Sequence, residues 1–179
     1  NKRLKTLEIP YSVSTKFREE DNSIKVLVKD LNGLTVSLTD VGYGVGQILP
    51  IVLECVLSKN KLLTIEQPEL HLHPKLQANL TDLIIWSARN NNNKFILETH
   101  SEHMILRLKR RLRENFEKEG QGNSEVETLT NDVTINVITT NKKEFKSQNK
   151  LLKITPSGNF NGDWPEGFFE ERFVELGID

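Results

Sequence analysis

Two short apolar runs that each end on a carboxylate, KLLTIE at 61–66 and KFILE at 94–98, constrain the fold of this chain most. A run of this length closing on an acid reads as a buried parallel strand that delivers a side chain to a site. Between them, Pro74 suits the first turn of a helix, and Leu76, Leu80, Leu83, Ile84 and Ala88 recur at helical spacing until Asn90–Asn93 ends the pattern. After the second run, Ser101 can cap a helix carrying Met104, Ile105, Leu108 and Leu112 on one face. Strand, helix, strand, helix at this spacing predicts an α/β fold with a parallel sheet flanked by helices.

Upstream, Ile24, Val26 and Val28 alternate with polar residues, and Leu34, Val36 and Leu38 resume the alternation after Asn32-Gly33, which predicts a β-hairpin. Three glycines then fall within 40–47. Behind them Ile48–Ser58 is apolar almost all round, as a buried helix with Pro50 in its first turn would be. Downstream, Glu117–Asp132 turns to Gly, Asn, Glu and Gln and reads as a flexible connection. Val133–Thr140 and Leu151–Thr155 read as a closing strand pair around the Lys-rich stretch 142–150, and the tail from Gly158 holds Trp164, Phe168, Phe169 and Phe173 as packing residues. The expected divisions are a hairpin region at 1–39, a lobe at 40–116, the connection at 117–132, and closing strands with an aromatic tail at 133–179.

At 179 residues the chain suits one compact domain. Its 24 Lys+Arg and 25 Asp+Glu leave a net charge of -1, which excludes attraction of the whole domain to nucleic acid or acidic lipid and leaves only local patches. The single cysteine, Cys55, excludes a disulfide framework and a thiolate zinc site, and within an apolar helix it reads as a small buried hydrophobe. Pro50 and Glu54 interrupt the longest apolar run, far short of the roughly 20 residues that span a bilayer. These features predict a soluble cytoplasmic protein without membrane contact.

The residues that carry chemistry cluster in LLTIEQPELHLHP at 62–74 and ETHS at 98–101. A strand-end acid lies where ligands bind in open α/β sheets, and at phosphate sites such an acid holds Mg²⁺ directly or through water. Glu66 and His100 are thus expected to face one crevice. All four histidines lie within 71–103 beside Glu66, Glu69, Glu98 and Glu102, so Glu66, His71, His73 and His100 also offer a transition-metal set for a metal-dependent hydrolase. Arg107, Lys109, Arg110, Arg111 and Arg113 could grip a phosphate backbone, or be a solvated helix face balanced by Glu102, Glu114 and Glu117.

The order of these segments resembles the ATPase heads of the ABC superfamily, in the branch of SMC-like proteins and OLD (overcoming lysogenization defect) nucleases. DVGYGVGQ at 40–47 is similar to the signature loop, LLTIEQP to Walker B, ELHLHP to the D-loop and ETHS to the switch histidine; NGDWPEGFFEERFVEL resembles a small C-terminal segment of some of these ATPases. The resemblance implies ATP and Mg²⁺ as ligands. It places Glu66 as the Mg²⁺-associated acid and His100 at the γ-phosphate. Gly44, Gly46 and Gln47 would close over ATP on an opposite subunit, and Glu69, His71 and His73 would contact that subunit. A homodimer of heads is implied, with DNA and a nuclease as possible partners, in DNA maintenance or anti-phage defence.

Four departures qualify this likeness. Gln67 stands where these ATPases usually carry the glutamate that polarises water, so hydrolysis is expected to be slow unless Glu69 or another residue takes that role, or absent in an ATP-gated interaction module. Gly44 stands where a phosphate-contacting serine is common. None of the ten glycines precedes a lysine, so no G-x-x-x-x-G-K-[ST] loop occurs, and the chain resembles a C-terminal lobe whose Walker A lobe lies elsewhere. No D-x-D pair of the OLD-type nuclease centre is present either.

Overall fold

The computed structural model describes residues 4–5, 11–30, 32–119, 132–141, 146–155 and 158–162. By contacts the chain divides into two units, 1–104 and 105–179. In the first, β1 (Tyr11–Arg18), β2 (Ser23–Asp30) and β3 (Thr35–Ser37) form an antiparallel sheet in that order. The β2–β3 hairpin follows the expected alternation, and Gly33 takes the positive φ of 89° that its turn requires while Asp30 Oδ1 accepts from the Leu34 N–H at 2.8 Å. Strand β1 was not anticipated, although Tyr11, Val13, Thr15 and Phe17 alternate with polar residues. It pairs with β2 in full register from Tyr11↔Asp30 to Arg18↔Ser23.

Helix α1 spans Tyr43–Leu57, so the glycine segment belongs to the helix rather than to a loop before it, and Pro50 lies in the helix interior rather than its first turn. Burial of Ile48, Leu49, Val52 and Cys55 outweighs the poor helix propensity of Gly44 and Gly46. Pro50 has no N–H, which leaves the Gly46 carbonyl without its donor four residues on.

Strand β4 (Leu62–Glu66), helix α2 (Pro74–Asn91), strand β5 (Lys94–Glu98) and helix α3 (Glu102–Glu119) follow as expected, with β4 and β5 parallel. Leu80, Leu83 and Ile84 of α2 pack with the buried face of α1, with Leu72 and Met104, and with the inward Phe95 and Leu97 of β5. The two strands are not fully buried. Side chains alternate in exposure, and Leu62 and Ile96 are each 60% exposed, because helices cover only one face of this strand pair.

The asparagines that end α2 also close α1. Asn91 Nδ2 and Ser87 Oγ donate to the Cys55 carbonyl at 2.9 and 2.8 Å. Asn93 Nδ2 donates to the Ser58 carbonyl at 2.8 Å, while its Oδ1 accepts from the Lys61 N–H at 3.0 Å. The last carbonyls of α1 thereby obtain partners from a different helix.

Cys55 is 0% exposed, and burial pushes its thiol up to about 11, with the Ser87 hydrogen bond opposing and Glu54 adding to the shift. A thiol raised in the folded state stabilises fully below its ordinary value and loses that contribution as pH rises through the folded one. Unfolding free energy is therefore expected to fall between pH 9 and about 11, and Cys55→Ala should flatten that slope in urea melts taken across this range.

In the second unit, α3 continues through Glu119, into the segment expected as a connection; 120–131 lie outside the described residues. Strands β6 (Ile135–Asn141), β7 (Lys146–Ile154) and β8 (Phe160–Asn161) form an antiparallel sheet. The Lys-rich stretch is strand from Lys146 onward, since ladder bonds are made by the backbone and exposed side chains may be polar. Gly158, at φ 78°, lies where an added Cβ would meet the Lys109 carbonyl oxygen at 2.9 Å, and Lys109 Nζ stands 4.1 Å from the Phe160 ring centre. The aromatic tail from 163 lies outside the described residues. Among the described residues no helix is long and apolar enough to cross a membrane.

Candidate functional site

Parallel pairing in register sets Glu66 beside Glu98 at the ends of β4 and β5, both side chains exposed. Adjacent strands run about 4.8 Å apart, so two like charges share one strand end. A pair of hard carboxylate donors fits Mg²⁺, which keeps most of its waters and takes one or two protein carboxylates beside substrate phosphates. The Gln67 N–H donates to the Glu98 carbonyl at 2.8 Å, extending the ladder by one bond, and Gln67 then turns off the strand at φ 44°. A non-glycine residue in the left-handed region is held there only by its surroundings.

From Gln67 the chain winds through two turns, closed by the Leu70 N–H on the Gln67 carbonyl and the Leu72 N–H on the Glu69 carbonyl. Pro68 and Glu69 are buried. Glu69 turns inward, and its Oε1 accepts from the His100 N–H at 2.7 Å. His71, at φ 59°, sets its ring edge-on to Tyr43 at 4.8 Å between centres. His73 caps α2, its Nδ1 accepting from the Lys75 N–H at 3.3 Å. Among the described residues no group of three or more His, Cys, Asp or Glu is placed to hold an ion, and of the transition-metal set His71 packs on Tyr43 while His73 serves the helix end.

An open cleft of about 420 Å³ lies along this turn. Gln67, Glu69 and Leu70 line one side, and His100, Ser101, Glu102 and His103 line the side that leads into α3; Glu66, expected to share a crevice with His100, is not among the lining residues and stands at the adjoining strand end. Gln77 completes it, donating from Nε2 to the Leu72 carbonyl at 2.9 Å and accepting the Ser101 hydroxyl on Oε1 at 2.6 Å. Ser101 Oγ in turn accepts from the Met104 N–H at 3.1 Å, the expected cap. Sequence reasoning missed Gln77. The available signal was a polar pair, Gln77 and Thr81, four residues apart in an otherwise apolar stripe.

The glycine segment meets the same turn from the other direction. A Cβ at Gly44 would stand 2.6 Å from the His71 carbonyl oxygen, whereas one at Gly46 meets nothing within 4 Å. Gly44 is thus required by close packing of α1 on the 71–72 backbone. Gln47 follows within the same helix. On α3, Arg110 Nε and Arg111 Nη1 each lie 2.6 Å from a Glu114 carboxylate oxygen, and these hydrogen bonds hold the Glu114 carboxyl down to about 2. Their charge is partly compensated on the helix itself.

The family profile described as AAA ATPase domain matches residues 2–105, more than half of the chain. Comparison with curated proteins finds no match. A solved structure described as "Structural biochemistry of ATP-driven dimerization and DNA stimulated activation of SMC ATPases" is similar at a TM-score of 0.59 and 10% identity, over 99% of this chain and 88% of that one. A second, "Crystal structure of the SmcHead bound to the C-winged helix domain of ScpA", is similar at 0.58 and 12% identity, over 86% of this chain and 40% of that one. At such identities the likeness is one of fold, and the expected α/β architecture is that of SMC ATPase heads.

Proposed function

Because the chain belongs to the AAA ATPase domain family, we propose that it is the C-terminal lobe of an ATP-dependent switch of the SMC-like, OLD branch, in which two heads close on Mg·ATP. The observation that carries this reading is the convergence at one end of a parallel strand pair: Glu66 and Glu98 in register, Gln67 beside them, and the His100 segment bonded to the turn that follows Gln67. Glu66, with Glu98 adjacent, would hold Mg²⁺, which when bound supplies positive charge against the phosphate oxygens. His100 would face the γ-phosphate, with Gln67 beside the attacking water, and the P-loop would come from a Walker A lobe that these residues do not contain.

The first turn of α1 would serve the nucleotide of the opposite head. Gly42 provides no side-chain cap, so no capping side chain covers the N–H groups of Tyr43 and Gly44, while the Val45 N–H donates to the Gly42 carbonyl at 2.9 Å; the first two would be the ones to meet an anion. Glycine within a helix costs about 1 kcal/mol relative to alanine. Nothing within 4 Å of a Cβ at Gly46 demands that cost, which supports close approach by a phosphate or a partner backbone there. Tyr43, 71% exposed, and His71 beside it support a contact with the second head, giving a homodimer. Glu69 and His73 take supporting roles within the same turn. DNA maintenance or anti-phage defence in the cytoplasm is the setting we infer, with a separate nuclease as partner; Arg107, Arg110 and Arg111 would supply the weaker part of any DNA contact.

The test is Mg²⁺-dependent ATP binding by the full-length protein and by Glu66→Ala. The variant should lose about tenfold or more of the Mg²⁺-dependent affinity, the effect of removing a carboxylate from a divalent ion, while retaining its fold by circular dichroism. Stoichiometric zinc with hydrolysis independent of ATP would sink the proposal in favour of a metal hydrolase.

A further inference from the structure

We propose that Glu69 and Gln77 form a latch that positions His100, coupling the 67–73 turn to the histidine; its catalytic consequence rests on the reading of His100 as the phosphate-facing group. Two successive residues are held from the same side. Glu69 Oε1 accepts the His100 N–H at 2.7 Å, and Gln77 Oε1 accepts the Ser101 hydroxyl at 2.6 Å. Gln77 bridges the two segments, because its Nε2 donates to the Leu72 carbonyl at 2.9 Å and the Glu69 carbonyl at 3.4 Å. The single Thr81 hydroxyl proton is shared between the Gln77 backbone carbonyl at 3.3 Å and the Met104 carbonyl at 3.4 Å, a weaker tie from the bridge to the start of α3. The turn cannot shift without pulling on residues 100 and 101.

The carboxylate itself separates this arrangement from an ordinary fold brace. Glu69 is only 9% exposed, and its Oε2 is buried without a hydrogen-bond partner among the described residues. A lone backbone N–H could be satisfied by a neutral amide, without a half-satisfied buried carboxylate. What the charge adds is a shorter and stronger bond, and hence a more narrowly fixed His100. The turn that carries Glu69 also carries His71, which packs on Tyr43 at the start of α1. A displacement of that surface would therefore reach His100 through Glu69. Both residues act through His100, so they are positioning residues and not catalytic ones.

The experiment uses the full-length protein and reads two quantities: amide hydrogen exchange at His100 without nucleotide, and steady-state turnover of Mg·ATP. Glu69→Ala should speed His100 exchange by about tenfold or more, as expected for losing a hydrogen bond to a charged group, whereas Glu69→Gln, which keeps an acceptor oxygen, should stay within about threefold of the unchanged protein. Turnover should follow the same order through kcat, with KM for Mg·ATP nearly constant. Gln77→Leu leaves the carboxylate in place and should also speed exchange at 100–101, which keeps the proposal testable if Glu69→Ala does not fold.

Unchanged His100 exchange in Glu69→Ala would overturn the latch. So would a Glu69→Gln protein as slow in turnover as Glu69→Ala while its His100 exchange stays near that of the unchanged protein, since turnover would then follow the carboxylate's own chemistry rather than the position of His100, and Glu69 would be the proton acceptor. If the unchanged protein binds no Mg·ATP, the proposed function fails, and the exchange measurement still decides the latch.

Discussion

Gln67→Glu is expected to raise Mg·ATP turnover of the full-length protein by about a hundredfold or more, the lower end of what a positioned proton acceptor contributes. Gln67 follows Glu66 directly, leaves the strand at φ 44°, and lines the cleft together with His100. Its amide can orient water through hydrogen bonds but cannot take the proton released when water attacks phosphorus. Glutamate has nearly the same shape and keeps the backbone bond from residue 67 to the Glu98 carbonyl, so the fold should be indifferent to the exchange. The exchange adds proton-accepting capacity together with a third negative charge beside Glu66 and Glu98, and ATP affinity reports the effect of that charge separately. Steady-state phosphate release, measured beside ATP affinity, is the readout. Equal turnover in the two proteins would mean that residue 67 does not face the water, and the reading of this strand end as a hydrolytic site would need another acceptor.

Gly44→Ser should cost about 1–3 kcal/mol of stability, in the range of overpacking a well-filled site. Restoring the serine that related signature loops carry is the intuitive repair, yet its Cβ would stand 2.6 Å from the His71 carbonyl oxygen. That oxygen belongs to backbone in a turn already held by two hydrogen bonds and a positive φ at His71, so it cannot yield without disturbing Glu69 and the cleft. Gly46→Ala provides the contrast. With open space around it, alanine should raise stability by up to about 1 kcal/mol through helix propensity and a less flexible unfolded chain. Urea denaturation of both variants gives the two signs. Loss of ATP-dependent dimerisation in the stabilised Gly46→Ala protein would locate the contact with the opposite head; a Gly44→Ser protein as stable as the original would refute the packing argument.

Much of the framework was legible because it rests on local chemistry. The strand ends at Glu66 and Glu98, the proline start of α2 and the cap at Ser101 each follow from residue type and period. The misplaced start of α1 has a different cause. Glycines ordinarily argue against helix, and only the burial of Ile48, Leu49, Val52 and Cys55 carries the helix back to Tyr43. The alternation in β1 was visible, but its strand partner depends on pairing with β2 across a turn. The asparagines at 90–93 read as a helix stop, and Asn92 is the left-handed cap of α2; that Asn91 and Asn93 also close α1 depends on where the two helices meet.

The sequence by itself determined the order of the chemical groups: an acid at one strand end, an amide where a base is common, a histidine after the next strand, and glycines ahead of the first long helix. Those features survive any rearrangement because they are properties of residue type and of spacing along one element. Tertiary structure alone decided which groups touch. It set Glu69 against the His100 N–H and ran Gln77 between Leu72 and Ser101. It also pressed Gly44 onto the His71 carbonyl and sent His71 and His73 to a ring contact and a helix cap. Each of these joins segments whose closeness comes from packing α1, α2 and the β4–β5 pair around one apolar core, and such packing depends on burial summed over many residues rather than on any local pattern.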